Sequence, residues 1–140
     1  VKYIFNIKCK DTKLKAVNLS DTIKKETMVN EKIAPGLKGE FSIVLNANQD
    51  TKYNVIFNSI NIKPKNLRFV NEETKTVVKN LEEFEKLLTG NLKKDETKTI
   101  TISWYWQYEN TQEGNRQDTI DSKNIQNYQF KILAFGESIV

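Results

Sequence analysis

The sequence contains no histidine and a single cysteine, Cys9. Without histidine the chain cannot form Ser-His or Cys-His nucleophile pairs, histidine general bases or zinc sites built on histidine, the HExxH motif included. One cysteine excludes a disulfide within the chain and metal sites built from several cysteines, and Cys9 is predicted to be a small buried apolar residue. Most common hydrolase chemistry is therefore excluded, and we predict no catalytic residue.

Arginine and long apolar runs are also scarce. Arg68 and Arg116 are the only arginines, so the net charge of +4 comes from lysines that are scattered among Asp and Glu. Nucleic-acid binding is not predicted, because it favours clustered basic residues and the forked donors of arginine. No apolar run approaches the ~20 residues that a membrane-spanning helix needs, so no membrane span is predicted.

What is present indicates one folded domain over residues 1–140. The composition, 38% hydrophobic and 29% charged, is that of a globular chain, and no repeat or Gly/Ser linker divides it. Short alternating segments separated by turns predict an all-β fold with one short helix. A β-sandwich or jelly roll is favoured over a barrel.

The first ten residues, VKYIFNIKCK, form the most regular strand pattern in the chain. Apolar side chains at Tyr3, Phe5 and Ile7 alternate with a polar face rich in lysine. A period of two with a lysine-rich outer face is typical of a half-buried strand at the edge of a sheet.

Five further elements follow from local patterns. Residues 34–37, APGL, predict a turn, because Pro and Gly suit its two central positions. Residues 39–62 predict a hairpin joined at 48–50, and residues 66–78 predict a second strand pair. A capping pattern at Asn80 and Glu83 predicts a helix that Gly90 closes, and residues 110–124 predict a loop.

Both tryptophans lie in one aromatic run, ITISWYWQYE, at residues 100–109. In a strand, Trp104 and Trp106 share a face with Ile100 and Ile102, opposite a polar face. This pattern favours a core strand over an aromatic platform for a ligand. Tyr105 and Tyr108 are the better candidates for surface contact with a ligand.

The segment that follows, up to residue 124, gathers carboxylates. Glu109, Asp118 and Asp121 are candidate ligands for a structural cation, because oxygen-rich loops suit Ca²⁺. The alternatives are a solvated acidic loop and a carboxylate pair for glycoside hydrolysis. No other cofactor is predicted.

Several stretches form a distinctive ordered set: residues 18–23 (NLSDTI), 32–36 (KIAPG), 39–43 (GEFSI), 64–67 (PKNL), 89–90 (TG), 103–109 (SWYWQYE), 118–119 (DT) and a tyrosine-containing last strand. Taken together, they resemble the secreted TasA and camelysin-like family of Gram-positive bacteria. Two features depart from the family: Gln107 stands where relatives often carry Pro, and the segment between Lys24 and Glu31 is not distinctive.

The resemblance implies a jelly-roll-like β-sandwich that is exported by a removed signal peptide to the cell surface or biofilm matrix. TasA-type subunits join into fibres by donor-strand exchange, in which the first strand of one copy completes the sheet of the next. Residues 1–10 would be the donor here, with Tyr3, Phe5 and Ile7 as the inserted side chains. The expected partner is therefore a second copy or a related surface protein. The alternative is that residues 1–10 form an ordinary strand within a stable monomer.

Two other functions stay open. Camelysin is a metalloendopeptidase, and an activity of that type would have to use carboxylates such as Asp118 in place of histidine ligands. A surface adhesin or carbohydrate-binding module rests on the fold alone. Tyr105 and Tyr108 would be its test positions.

Overall fold

The fold is a sandwich of two antiparallel-rich β-sheets with one α-helix, given by a computed structural model that describes residues 1–24, 32–107, 112–125 and 127–139. The strands are β1 (Lys2–Ile7), β2 (Thr12–Asn18), β3 (Lys38–Ala47), β4 (Thr51–Ser59), β5 (Leu67–Asn71), β6 (Thr76–Val78), β7 (Thr89–Leu92), β8 (Thr97–Trp106) and β9 (Gln129–Glu137). The helix α1 spans Gln112–Asn124, and two 3-10 turns span Leu19–Thr22 and Leu81–Phe84.

Two sheets form the layers. Sheet A has the order β1-β3-β8-β5-β6, and sheet B has the order β2-β9-β4-β7. The parallel pair β1–β3 contrasts with the other named strand pairs, which are antiparallel. The predicted all-β sandwich is confirmed, whereas the jelly-roll topology stays a prediction.

The core lies between the sheets and is rich in aromatic rings. Phe41 of sheet A contacts Phe57 and Phe130 of sheet B, with ring centroids 6.5 and 5.6 Å apart. Inward-facing residues of both sheets thus meet in one apolar cluster. Burial of each such side chain stabilises the fold by about 1.5–3 kcal/mol.

The aromatic run of β8 is a core strand, as predicted. Ile100, Ile102, Trp104 and Trp106 are buried, and the alternate residues up to Tyr105 are half-exposed on the outer face of sheet A. The Trp104 indole donates to Thr22 Oγ1 at 2.7 Å, which satisfies its buried N–H.

The turn and the second strand pair are also confirmed. Leu37 N donates to Ala34 O at 3.1 Å, and Gly36 takes a φ of 90° that suits glycine in this turn. Strands β5 and β6 pair antiparallel around residues 72–75.

The predicted hairpin between β3 and β4 is wrong. β3 lies between β1 and β8 in sheet A, whereas β4 lies between β9 and β7 in sheet B. Residues 48–50 therefore carry the chain from one sheet to the other. The alternating pattern indicates that one face of each strand is buried. Because the strands of both sheets bury one face, the pattern cannot predict which strand pairs with which.

The two helix predictions are also corrected. Asn80 N donates to Glu83 Oε2 at 2.7 Å as the capping pattern requires, but only one 3-10 turn forms. Lys86 takes a φ of 66°, which interrupts a helix, and Gly90 lies in β7. The segment predicted as a loop, residues 110–124, instead contains α1. The buried positions of this helix include Asp118 and Asp121, so α1 does not show an apolar stripe.

Among the described residues, no helix is long and apolar enough to cross a membrane.

Candidate functional site

The predicted self-association strand, β1, forms one edge of sheet A. It pairs in parallel with β3, from Lys2 opposite Ser42 to Ile7 opposite Ala47. At its ends, Ser42 N donates to Val1 O at 2.9 Å and Asn48 N donates to Ile7 O at 2.8 Å. β1 therefore depends on one neighbouring strand for its ladder of main-chain hydrogen bonds.

The three side chains predicted to insert lie together on the inner face of β1. Phe5 and Ile7 are fully buried in the core between the sheets. Tyr3 is half-buried and meets the Phe41 ring edge to face, with centroids 6.1 Å apart. The prediction that these residues face inward is right, and in this structure they fill the core of their own chain.

A shallow groove separates β1 from β2, the edge strand of sheet B. Ile4 and Leu14 are half-exposed in this groove, whose volume is about 220 Å³. Lys15 places its ammonium 5.7 Å from the centre of the Phe5 ring, a distance that permits a cation-π contact. Both sheets thus present an edge strand on the same side of the sandwich.

The β1–β2 connection, residues 8–11, is fixed against β9. Lys10 N donates to Gly136 O at 2.9 Å, although Lys10 takes a φ of 59° that is uncommon for lysine. A Cβ at Gly136 would lie 1.9 Å from Lys8 O, so only glycine permits this close approach. Cys9, predicted to be buried, is partly exposed here, with its Sγ 3.3 Å from Asp50 O.

Two of the predicted metal ligands, Asp118 and Asp121, lie on the buried face of α1. Asp118 Oδ1 accepts hydrogen bonds from Trp106 Nε1 at 2.9 Å and from Asn66 Nδ2 at 2.8 Å. Asp121 accepts from Lys65 N at 2.9 Å and from Gln117 Nε2 at 2.9 Å. These contacts attach α1 to the end of β8 and to the loop before β5.

The predicted cation site is only partly within the described residues. Glu109 and Tyr108 lie outside them. The described part of the chain contains no cluster of three Asp, Glu or Cys residues that could hold a metal ion. Asp118 Oδ2 is buried without a hydrogen-bond partner, so one carboxylate oxygen remains available at this position. Structural calcium stays a prediction.

Sequence reasoning did not identify Lys63, in the loop that α1 contacts. Its ammonium donates to Pro64 O at 2.5 Å and to Leu67 O at 3.0 Å. Burial and, to a smaller extent, the positive charge of Arg68 lower the pKa of Lys63 to about 8. The only sequence signal is a lysine directly before a proline, which indicates a turn and not a buried amine.

We expect the stability of the fold to pass through a maximum at alkaline pH. Between about pH 8 and 10.5 the unfolded chain binds a proton that folded Lys63 has lost, so the free energy of unfolding rises with pH. Burial raises the pKa of Tyr128 to about 12, so above about pH 10 the folded state retains a proton that the unfolded chain loses, and stability falls.

Urea unfolding between neutral pH and strongly alkaline pH measures this curve. Lys63→Arg keeps the charge and the donors but does not titrate in this range, so the rise should disappear while the alkaline fall remains. Tyr128→Phe should weaken the fall. A wild-type stability that decreases steadily from pH 8 upward would contradict the assignment to Lys63.

No protein-family model matches this chain, and no curated protein matches its sequence. The resemblance to the TasA and camelysin-like family therefore rests on the sequence stretches named above.

Proposed function

We propose that this chain is a secreted structural protein of the Gram-positive cell surface or biofilm matrix, whose copies join through β1. The family resemblance supplies the class of protein. The observation that carries the mechanism is that β1 is an edge strand with a single neighbour, whose Phe5 and Ile7 nevertheless fill the core. A strand with that combination is replaceable by an identical strand from a second copy.

Donor-strand exchange would reproduce every contact that β1 makes within its own chain. The β1 of another copy would pair with β3 in the same parallel register and place Tyr3 against Phe41. Affinity would come from main-chain hydrogen bonds, and alternate side chains in the core would fix the register. Because no new interface has to be created, exchange requires only that the connection at residues 8–11 opens.

A designed disulfide distinguishes exchange from an ordinary strand within one chain. Asn6 and Asn46 are directly opposite in the β1–β3 register, with Asn46 Nδ2 3.4 Å from Asn6 Oδ1. The variant carries Asn6→Cys and Asn46→Cys in a Cys9→Ser background. After polymerisation and oxidation, we expect a ladder of covalently joined chains in non-reducing gels. Internally crosslinked monomers alone would overturn the proposal.

A second experiment uses a chain that lacks residues 1–10. We expect light scattering and negative-stain microscopy to show no polymers of this variant, and we expect it to bind a synthetic peptide of residues 1–10 with Cys9→Ser. The matched control peptide carries Phe5→Asp, which would place a charge in the core and should not bind. Equal binding of both peptides would argue against insertion.

The contacts of α1 favour this structural role over a camelysin-type peptidase. Asp118 and Asp121 together present four carboxylate oxygens, and three of them already accept hydrogen bonds within the chain.

A further inference from the structure

A small cavity opens between the turn that joins β5 to β6 and the strands β4 and β7 of the opposite sheet. Its volume is about 180 Å³, and six of the residues that line it are Tyr53, Asn71, Glu73, Leu87, Lys98 and Ile100. This size suits one small ring-shaped molecule and not a drug-sized ligand. β6 forms the edge of sheet A opposite to β1, so the cavity is independent of the self-association strand.

Two residues of the cavity lining carry polar groups that make no hydrogen bond within the described residues. Tyr53 is 7% exposed, and its hydroxyl has no hydrogen-bond partner among the described residues. Asn71 is 6% exposed; its Oδ1 accepts from Glu73 N at 3.1 Å, while its Nδ2 donates to no described residue. Asp118 Oδ2 is the buried polar atom that lacks a partner among the described side chains, so the Tyr53 hydroxyl and the Asn71 amide are accessible to solvent and can pair with a molecule that enters the cavity.

The Tyr53 side chain is held in place before any ligand binds. Tyr53 and Gly90 are opposite in the β4–β7 register, and a Cβ at Gly90 would lie only 2.8 Å from the Tyr53 hydroxyl. Thr89 Oγ1 donates to Tyr53 O at 2.9 Å and fixes the same strand pair. Burial raises the pKa of the Tyr53 hydroxyl, so the group remains a hydrogen-bond donor at neutral pH.

The charges at the cavity cancel. Lys98 Nζ lies 2.8 Å from Glu73 Oε2, and both side chains are partly exposed at the rim. A charged ligand would therefore meet one like charge together with one opposite charge. An apolar ligand would leave Tyr53 and Asn71 without partners, which costs binding energy. A neutral ligand rich in hydroxyl groups satisfies both requirements.

We propose that this cavity binds a neutral sugar ring, such as the terminal residue of a glycan. The Tyr53 hydroxyl and the Asn71 amide would pair with the hydroxyl groups of the ring. Leu87 and Ile100 would contact its C–H face. A site built around hydrogen bonds to ligand hydroxyls discriminates strongly against analogues that lack them.

An NMR titration of the full chain tests this proposal with glucose, galactose and N-acetylglucosamine as separate probes. We expect at least one sugar to shift the Asn71 side-chain amide and the backbone amides of Glu73 and Leu88. Tyr53→Phe, which removes one hydroxyl, should weaken binding about three- to tenfold. Ser42→Ala removes a hydroxyl group from the outer face of β3, away from the cavity, and should leave binding unchanged.

A second variant guards against an indirect effect of Tyr53→Phe on folding. Leu87 is 58% exposed at the rim of the cavity, so Leu87→Trp should block entry without disturbing the core. We expect this variant to lose the sugar-dependent shifts. Absence of shifts around the cavity with all three sugars would overturn the proposal, as would equal shifts in wild type and Leu87→Trp.

Discussion

Replacing Phe41 by alanine is expected to lower the free energy of unfolding by about 3–5 kcal/mol. Phe41 is fully buried, and its ring contacts Tyr3 on β1 as well as Phe57 and Phe130 on sheet B. The truncated side chain would leave a cavity where three aromatic rings meet, and neighbouring strands can close such a cavity only in part. Urea unfolding followed by tryptophan fluorescence measures the loss.

Tyr105→Ala is the matched control for Phe41→Ala. Tyr105 lies on the outer face of the adjacent strand and is paired in register with Lys38 of β3. Because it is half-exposed, we expect less than half of the loss measured for Phe41→Ala. A loss below about 1 kcal/mol for Phe41→Ala would contradict the central position that the structure gives to this ring.

The Phe41→Ala variant also reports on β1. Tyr3 loses its aromatic neighbour in this variant, so amide hydrogen exchange in β1 should accelerate more than in β9. If β1 joins copies, polymers of Phe41→Ala should dissociate at lower urea concentration than wild-type polymers. One substitution therefore links the core of the subunit to the contact between subunits.

Replacing Asp118 by alanine is expected to cost about 2–4 kcal/mol of stability. The change leaves two buried donors, Trp106 Nε1 and Asn66 Nδ2, without their acceptor. It also removes the contact that attaches α1 to β8. Urea unfolding gives the free energy, and near-ultraviolet circular dichroism should show a changed environment for Trp106.

Asp118→Asn separates hydrogen bonding from cation binding. The amide oxygen can take the place of Oδ1, and the amide nitrogen can take the place of the unpartnered Oδ2, so we expect a smaller loss than with alanine. Calcium that raises the unfolding temperature of wild type but not of Asp118→Asn would support the predicted cation site. Equal responses to calcium would leave hydrogen bonding as the role of Asp118.

Local patterns predicted individual strands well but not their neighbours. The alternation in β8 correctly placed Trp104 and Trp106 in the core, because inward and outward positions follow from the pleat of a single strand. The same alternation suggested pairing between β3 and β4, which lie in different sheets. Partner choice depends on residues far apart in the chain, and no short segment contains that information.

The helix α1 escaped prediction for a different reason. A helix on a protein surface usually shows an apolar stripe, but α1 contacts the rest of the chain through Asp118 and Asp121. In the sequence, both aspartates are candidate cation ligands beside the alternative of a solvated loop, whereas their observed partners are an indole, an asparagine side chain, a glutamine side chain and a backbone amide. The cavity at Tyr53 could not be predicted from the sequence either, because its lining combines side chains from several separate segments.

The short connection between β1 and β2 has a mechanical consequence for any polymer built by exchange of β1. β1 ends at Ile7 and β2 begins at Thr12, so four residues would span two subunits, a reach of roughly 14 Å when fully extended. Successive subunits would therefore touch, with little freedom to tilt. Such a polymer would bend like a stiff rod and not like beads on a string, and lengthening this connection with glycine and serine should make it measurably more flexible.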